Sequence, residues 1–123
     1  MTNSHGEPLD FSYLIEMVGD DPAFLAEFFE TFIEHTPVYL AEMENALTNE
    51  NWSKVANHAH KIKPTFIYVG RNDAKLLVEA IENNARNKIA LDKIRSDLEK
   101  LKLMLSDILF QLKQEKIKLV SKL

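Results

Sequence analysis

IRSDLEKLKLMLSDILFQL, residues 94–112, sets Ile94, Leu98, Leu101, Leu105, Ile108 and Leu112 at alternating steps of four and three. Those steps return an apolar side chain to one helix face at every turn, the a/d seam of a helical bundle. Leu103, Met104, Leu109 and Phe110 widen the stripe, so this helix is expected to face two neighbours. Asp92 is placed to cap its start, and Asp97 lies early enough to suit the positive end of the helix dipole. Beyond Leu112 the pattern loosens, and the tail is expected to project past the bundle.

The rest of the chain supplies the partners of that seam. Leu9, Phe11, Leu14, Ile15 and Val18 mark a short amphipathic helix that ends near Gly19. Asp21 before Pro22 reads as a cap followed by the first helical position. The next stripe holds Phe24, Leu25, Phe28, Phe32, Tyr39 and Met43, and carries on past Pro37, so a kink is expected there and not a break. Asn49-Glu50-Asn51 is a connector. Trp52, Val55, Ala56, Ala59, Ile62, Phe66 and Val69 form the buried side of a third long helix ending at Gly70, with Asn72 placed to cap the next. Leu76, Leu77, Ala80, Ile81 and Ala85 give that next helix its apolar face, ending in the high eighties. The expected fold is all-α: an antiparallel up-down four-helix bundle with a short extra N-terminal helix, over one domain from 9 to 123 after a disordered lead of residues 1–8.

Bulk properties narrow the function. A chain of 123 residues suits one domain, and Gly 3 with Pro 4 favours helices over repeated turns. Cys 0 excludes disulfides, a cysteine nucleophile and thiolate metal sites, and gives no sign of an oxidising compartment. The opening residues lack the cationic and apolar regions of a signal peptide, and no apolar run is long enough for a membrane span. A cytoplasmic location without membrane insertion is expected. The net charge of −4 argues against a nucleic-acid partner, and the lysines from Lys113 to Lys122 read as a solvated helix face.

One helix surface stands out chemically. Lys63 follows His60 by three residues and shares its face, with Ala56, Asn57, Pro64 and Ile67 bordering it. The buried stripe of this helix points His60 outward. An accessible imidazole can attack phosphorus through a ring nitrogen, and the Lys63 ammonium can offset charge on phosphoryl oxygens. The pair by itself is also what a solvated helix face presents. Lys61 points about 100° away and suits a steering role. His58 and His60 lie on different faces, and no converging ligand set, serine triad or glycine-rich phosphate loop is visible. A metal-binding bundle enzyme therefore has little support. Among the phenylalanines, Phe29 falls off the main stripe and is expected to be exposed for docking.

Residues 59–70, AHKIKPTFIYVG, resemble the signature of histidine-containing phosphotransfer (HPt) domains, Ala-His-x-Leu-Lys-Gly followed by small residues and a glycine. In that resemblance His60 matches the phosphorylated histidine, Lys63 the lysine beside the phosphoryl group, Ile62 the buried aliphatic and Gly70 the closing, structural glycine. Pro64 stands where glycine is usual, and Thr65-Phe66 where small residues are favoured. The resemblance spans about residues 9–112. It implies a phosphorelay intermediate that takes a phosphoryl group from a receiver-domain aspartyl phosphate on His60 and passes it to another receiver. Its partners would be the receiver domain of a hybrid histidine kinase, a response regulator, or both. It also implies no ATP-dependent kinase activity and no cofactor of its own, since the metal belongs to the receiver. The docking surface would comprise Ala56, Asn57, Lys61, Pro64 and Ile67, with Phe29 and Thr31 from the neighbouring helix. A monomer is expected, and Met1 with its short polar lead suits a free-standing protein or a terminal domain. The alternative is a helical interaction module that docks receivers without carrying phosphate.

Overall fold

The computed structural model describes residues 7–123, and among these every regular element is a helix. They are α1 (Ser12–Val18), α2 (Pro22–Thr48), α3 (Trp52–Tyr68), α4 (Asn72–Asn87) and α5 (Leu91–Val120). Helix α2 packs on α3 and α5, and α4 packs on the same two, so α3 and α5 occupy diagonal corners of an up-down bundle. The short α1 lies against α3. Of the expected lead, residues 1–6 lie outside the described residues. Glu7 and Leu9 are tied to α5: Gln111 Nε2 donates to the Glu7 carbonyl at 3.1 Å, and the Leu9 N–H donates to Gln111 Oε1 at 3.2 Å.

Capping chemistry sets the helix starts. The Asp21 carboxylate accepts from the Phe24 N–H with Pro22 at the first position, and Asn51 accepts from the Lys54 N–H. Asp10 does the same for α1, taking both the N–H and the hydroxyl of Ser12. Two expected caps are corrected. Arg71, not Asn72, precedes α4, and Ala90 precedes α5, leaving Asp92 inside the first turn. Asp97 is buried and accepts twice from Lys93 Nζ one turn earlier, so its charge is met by an ion pair. Helix α2 runs unbroken through Pro37 and α3 through Pro64. Each proline still leaves the carbonyl four residues back without its intrahelical donor, Ile33 in one case and His60 in the other.

The core confirms the α5 seam: Ile94, Leu98, Leu101, Leu105, Ile108 and Leu112 are all buried. Burying each such side chain contributes about 1.5–3 kcal/mol, so packing rather than propensity holds this helix. Phe32 meets Phe66 edge-on at 6.2 Å across α2 and α3. Between α3 and α4 the contact residues are small: Ala56, Ala59, Ala74 and Ala85 are fully buried, letting the two backbones approach closely. Several expected stripe members are instead exposed, namely Ile15, Val18, Phe24, Tyr39, Leu76, Leu103 and Phe110. Leu76 fails because the buried face of α4 is the narrow line Ala74, Val78, Ile81 and Ala85, and position 76 lies across the helix from it.

The α3–α4 turn is secured in two ways. Gly70 has φ +73°, and a Cβ there would strike the Asp10 backbone oxygen and come within 2.6 Å of Asp10 Cβ. Asp10 is held in place by its N–H bonding the Val69 carbonyl at 3.0 Å. Gly70→Ala is therefore expected to lower stability by about 2–4 kcal/mol, combining left-handed strain with a backbone collision. Thermal melting checks this, and an unchanged midpoint would contradict the crossing of Asp10 over the turn. Arg71, fully buried, forms a fork with both Asp73 oxygens and reaches Asp107 on α5, all at 2.9 Å. Burial works against its charge, but the two carboxylates outweigh that penalty and hold its pKa above the ordinary arginine value.

Candidate functional site

The close α3–α4 contact brings two helix faces into register. His60 and Lys63 are one turn apart on α3, and Glu79 and Glu82 one turn apart on α4. His60 Nδ1 lies 2.9 Å from Glu82 Oε2, and the histidine side chain is 66% exposed. Carboxylates only accept, so Nδ1 carries the proton and donates it. In a neutral ring the lone pair then lies at Nε2, which has no partner among the described residues, on a side chain that is largely exposed. That is an accessible ring nitrogen on a histidine whose other nitrogen is held by a neighbour.

The cations around it are loosely held. Lys63 Nζ is 3.7 Å from Glu82 Oε1 and 3.8 Å from Glu79 Oε2, beyond hydrogen-bond length, so its charge is available to an incoming anion at little cost. Arg86 contacts Glu82 at 3.6 Å and donates to Asn57 Oδ1 at 3.1 Å, bridging the two helices on the other side of His60. Glu79 also meets Lys75 at 3.4 Å. Among the described residues no cluster of three or more His, Asp or Glu is arranged to hold a metal ion. Glu82 and Arg86 did not figure in the reading of the sequence. Their signal was symmetry about the turn: 60 and 82 are equidistant from residue 71, as are 63 and 79, so an antiparallel hairpin must pair them.

The expected docking residues divide. Asn57, Lys61 and Pro64 are exposed on the open flank of His60, and Ile67 is half-buried. Ala56 is fully buried, as its place in the α3 stripe requires, so its expected part in the docking surface is corrected: it lies on the same flank as Lys63, which α4 covers. Phe29 is also corrected. It is 1% exposed, because Phe11 from the N-terminal segment stacks on it with ring centroids 4.7 Å apart. The α2 stripe was judged against the bundle alone, and the N-terminal segment adds a further layer. Thr31 is exposed but precedes Phe32, the partner of Phe66, so it sits level with Ile67 and not with His60. An apolar surface the sequence did not reveal lies nearby. Tyr13 stacks on Tyr68 at 6.1 Å, Phe28 meets Tyr68 edge-on, and Tyr13, Met17 and Phe24 are exposed.

The family model described as Hpt domain matches residues 27–111, well over half of the chain, and includes His60, Lys63, Glu79, Glu82 and Arg86. The chain belongs to the Hpt domain family. Comparison with curated proteins gives no match, and comparison with solved structures gives none either. Membership gives this Hpt domain a general role in phosphorelay signalling, consistent with a phosphoryl carrier that is not itself a catalyst. Hpt domains interact with receiver domains of histidine kinases and response regulators. No helix among the described residues is long and apolar enough to cross a membrane.

Proposed function

We propose that the Hpt domain accepts a phosphoryl group on Nε2 of His60 from the aspartyl phosphate of one receiver domain and delivers it to the aspartate of another. The observation that carries this is the 2.9 Å contact from Nδ1 to Glu82, which leaves Nε2 as an exposed lone pair. The Nε2 pair forms the N–P bond as the aspartyl O–P bond breaks, and those electrons return to the receiver carboxylate. Nδ1 keeps its proton throughout, so the ring becomes a phosphoimidazolium facing the Glu82 carboxylate. In the return step a second aspartate attacks phosphorus, the N–P electrons go back to Nε2, and neutral imidazole is restored. No proton needs to leave or enter in either direction, which suits a reversible carrier.

Lys63 offsets charge on the transferring oxygens. Asn57, Lys61, Pro64 and Ile67, with the Tyr13–Tyr68 surface, form the receiver's landing area. Glu82→Gln replaces a charge-assisted hydrogen bond by a neutral one, worth about 1–2 kcal/mol, so transfer is expected to slow about tenfold with the fold unchanged. Lys63→Ala is expected to slow it by about ten- to a hundredfold. Rates equal to the parent's in stopped-flow transfer assays would remove these two roles. The reading as a whole is tested by exposing the domain to a panel of phosphorylated receivers. Acid-labile, base-stable label is expected from at least one donor, and no label from any competent donor would leave a receiver-docking module.

A further inference from the structure

A chain of ion pairs runs along the α3–α4 seam beside His60. Lys75 Nζ lies 3.4 Å from Glu79 Oε2, and the same oxygen lies 3.8 Å from Lys63 Nζ. Lys63 Nζ in turn lies 3.7 Å from Glu82 Oε1, while Glu82 Oε2 meets His60 Nδ1 at 2.9 Å and Arg86 at 3.6 Å.

The two carboxylates that flank Lys63 are not equivalent. Glu82 is committed to the imidazole, and that contact strengthens once the ring carries phosphorus and gains positive charge. Glu79 has no such duty, since among the described residues its ion-pair partners are the two lysines. It also stands one helical turn farther along α4 from the carboxylate that meets His60, so an ammonium leaning to Glu79 leans away from the ring. Lys63 is three residues from His60, which sets their Cβ atoms about 5–6 Å apart. Its stem can therefore carry the ammonium across to α4 or along α3 to the imidazole.

We infer, on the footing that His60 is the phosphoryl carrier, that Glu79 is a positioning residue: it parks Lys63 against α4 in the empty domain, and Lys75 takes over the Glu79 charge when Lys63 turns to the phosphoryl oxygens. Glu79 makes no bond to phosphorus and acts through Lys63. Its effect falls on the position of the transfer equilibrium. Holding Lys63 favours the empty carrier, so Glu79 weakens retention of the phosphoryl group and eases its delivery to the next receiver. Lys75 works the other way, because it stabilises Glu79 after Lys63 has left. Lys63, Lys75 and Glu79 are half-buried and their contacts are long, and ion pairs of this kind move an equilibrium by about two- to fivefold.

The test is the partition of the phosphoryl group between the domain and a receiver that labels the parent. It is taken as the ratio of forward to reverse transfer rates, so that slow variants also report. Glu79→Gln is expected to shift the partition about threefold toward the domain, and Lys75→Ala about twofold toward the receiver. The double variant is expected to match Glu79→Gln alone, since Lys75 acts only through that carboxylate. In a Lys63→Ala background, Glu79→Gln is expected to leave the partition unchanged. None of these side chains belongs to the core, so circular dichroism should show each variant folded as the parent is. A Glu79→Gln partition equal to the parent's would overturn the proposal. So would a shift that persists in full without Lys63, which would be direct repulsion between Glu79 and the phosphoryl group. A parent that takes no label from any competent receiver would remove the carrier itself, and this role of Glu79 with it.

Discussion

His60→Gln is expected to take no acid-labile label from any receiver that labels the parent. The substitution keeps length and polarity, and the new amide can still donate to Glu82 where Nδ1 did at 2.9 Å. Its nitrogen lone pair is delocalised into the carbonyl, however, and cannot form the N–P bond. The side chain is largely exposed, so no packing is lost and the fold should persist by circular dichroism. His58→Gln and His35→Gln provide the contrast. His58 is half-buried beside a separate groove shared with Glu42 and Lys54, and His35 packs edge-on against Tyr39. Neither has a carboxylate setting its tautomer, and both variants should label as the parent does. Retained label on His60→Gln would remove the site.

The second large effect concerns stability. Arg71→Leu is expected to cost about 3–5 kcal/mol, because it leaves Asp73 and Asp107 beside an apolar side chain without the guanidinium that meets both at 2.9 Å. For a domain of this size the melting midpoint should fall by about 10–20 °C. The loss is also pH-dependent. The hydrogen bonds from Arg71 come first among the causes that hold the Asp73 carboxyl below its usual range. A carboxyl depressed in the folded state contributes stability above its unfolded value, near pH 4, and that contribution disappears as pH falls through the folded value. The parent should therefore lose stability in acid below about pH 4 more steeply than Arg71→Leu does. A variant within about 1 kcal/mol of the parent would contradict the role of this cluster, which joins α3, α4 and α5 at the end of the bundle.

The bundle was legible because its signals are local. The four-and-three spacing of α5, the Asp21-Pro22 start of α2 and the connector at 49–51 all depend on residues a turn or two apart, and each stands where the periodicity puts it. His60 and Lys63 could be set on one helix face for the same reason, being one turn apart, but what singled them out was the resemblance of residues 59–70. What escaped depends on which residue lies across from which. Arg71 reads as an ordinary surface arginine until its contact with Asp107, thirty-six residues away, is seen. Glu82 reads as one carboxylate among many until the hairpin folds it onto His60. Spacing placed Ala56 on the buried side of α3, where it lies, and it was the docking rim implied by the resemblance that did not agree; Phe29 looked accessible because helical spacing describes a single helix, whereas its burial is imposed by Phe11. Leu103 and Phe110 erred in the other direction: spacing showed an apolar face, but not that the bundle leaves it uncovered.

The most direct test of the central claim locates the phosphorus atom. The domain, labelled with ¹⁵N on histidine, would be phosphorylated by a competent receiver and its imidazole nitrogens observed by NMR. A phosphorus-coupled Nε2 on His60 with the proton retained on Nδ1 is the predicted result. Phosphorus on Nδ1, or on any histidine other than His60, would contradict a site in which Glu82 holds Nδ1 and presents Nε2.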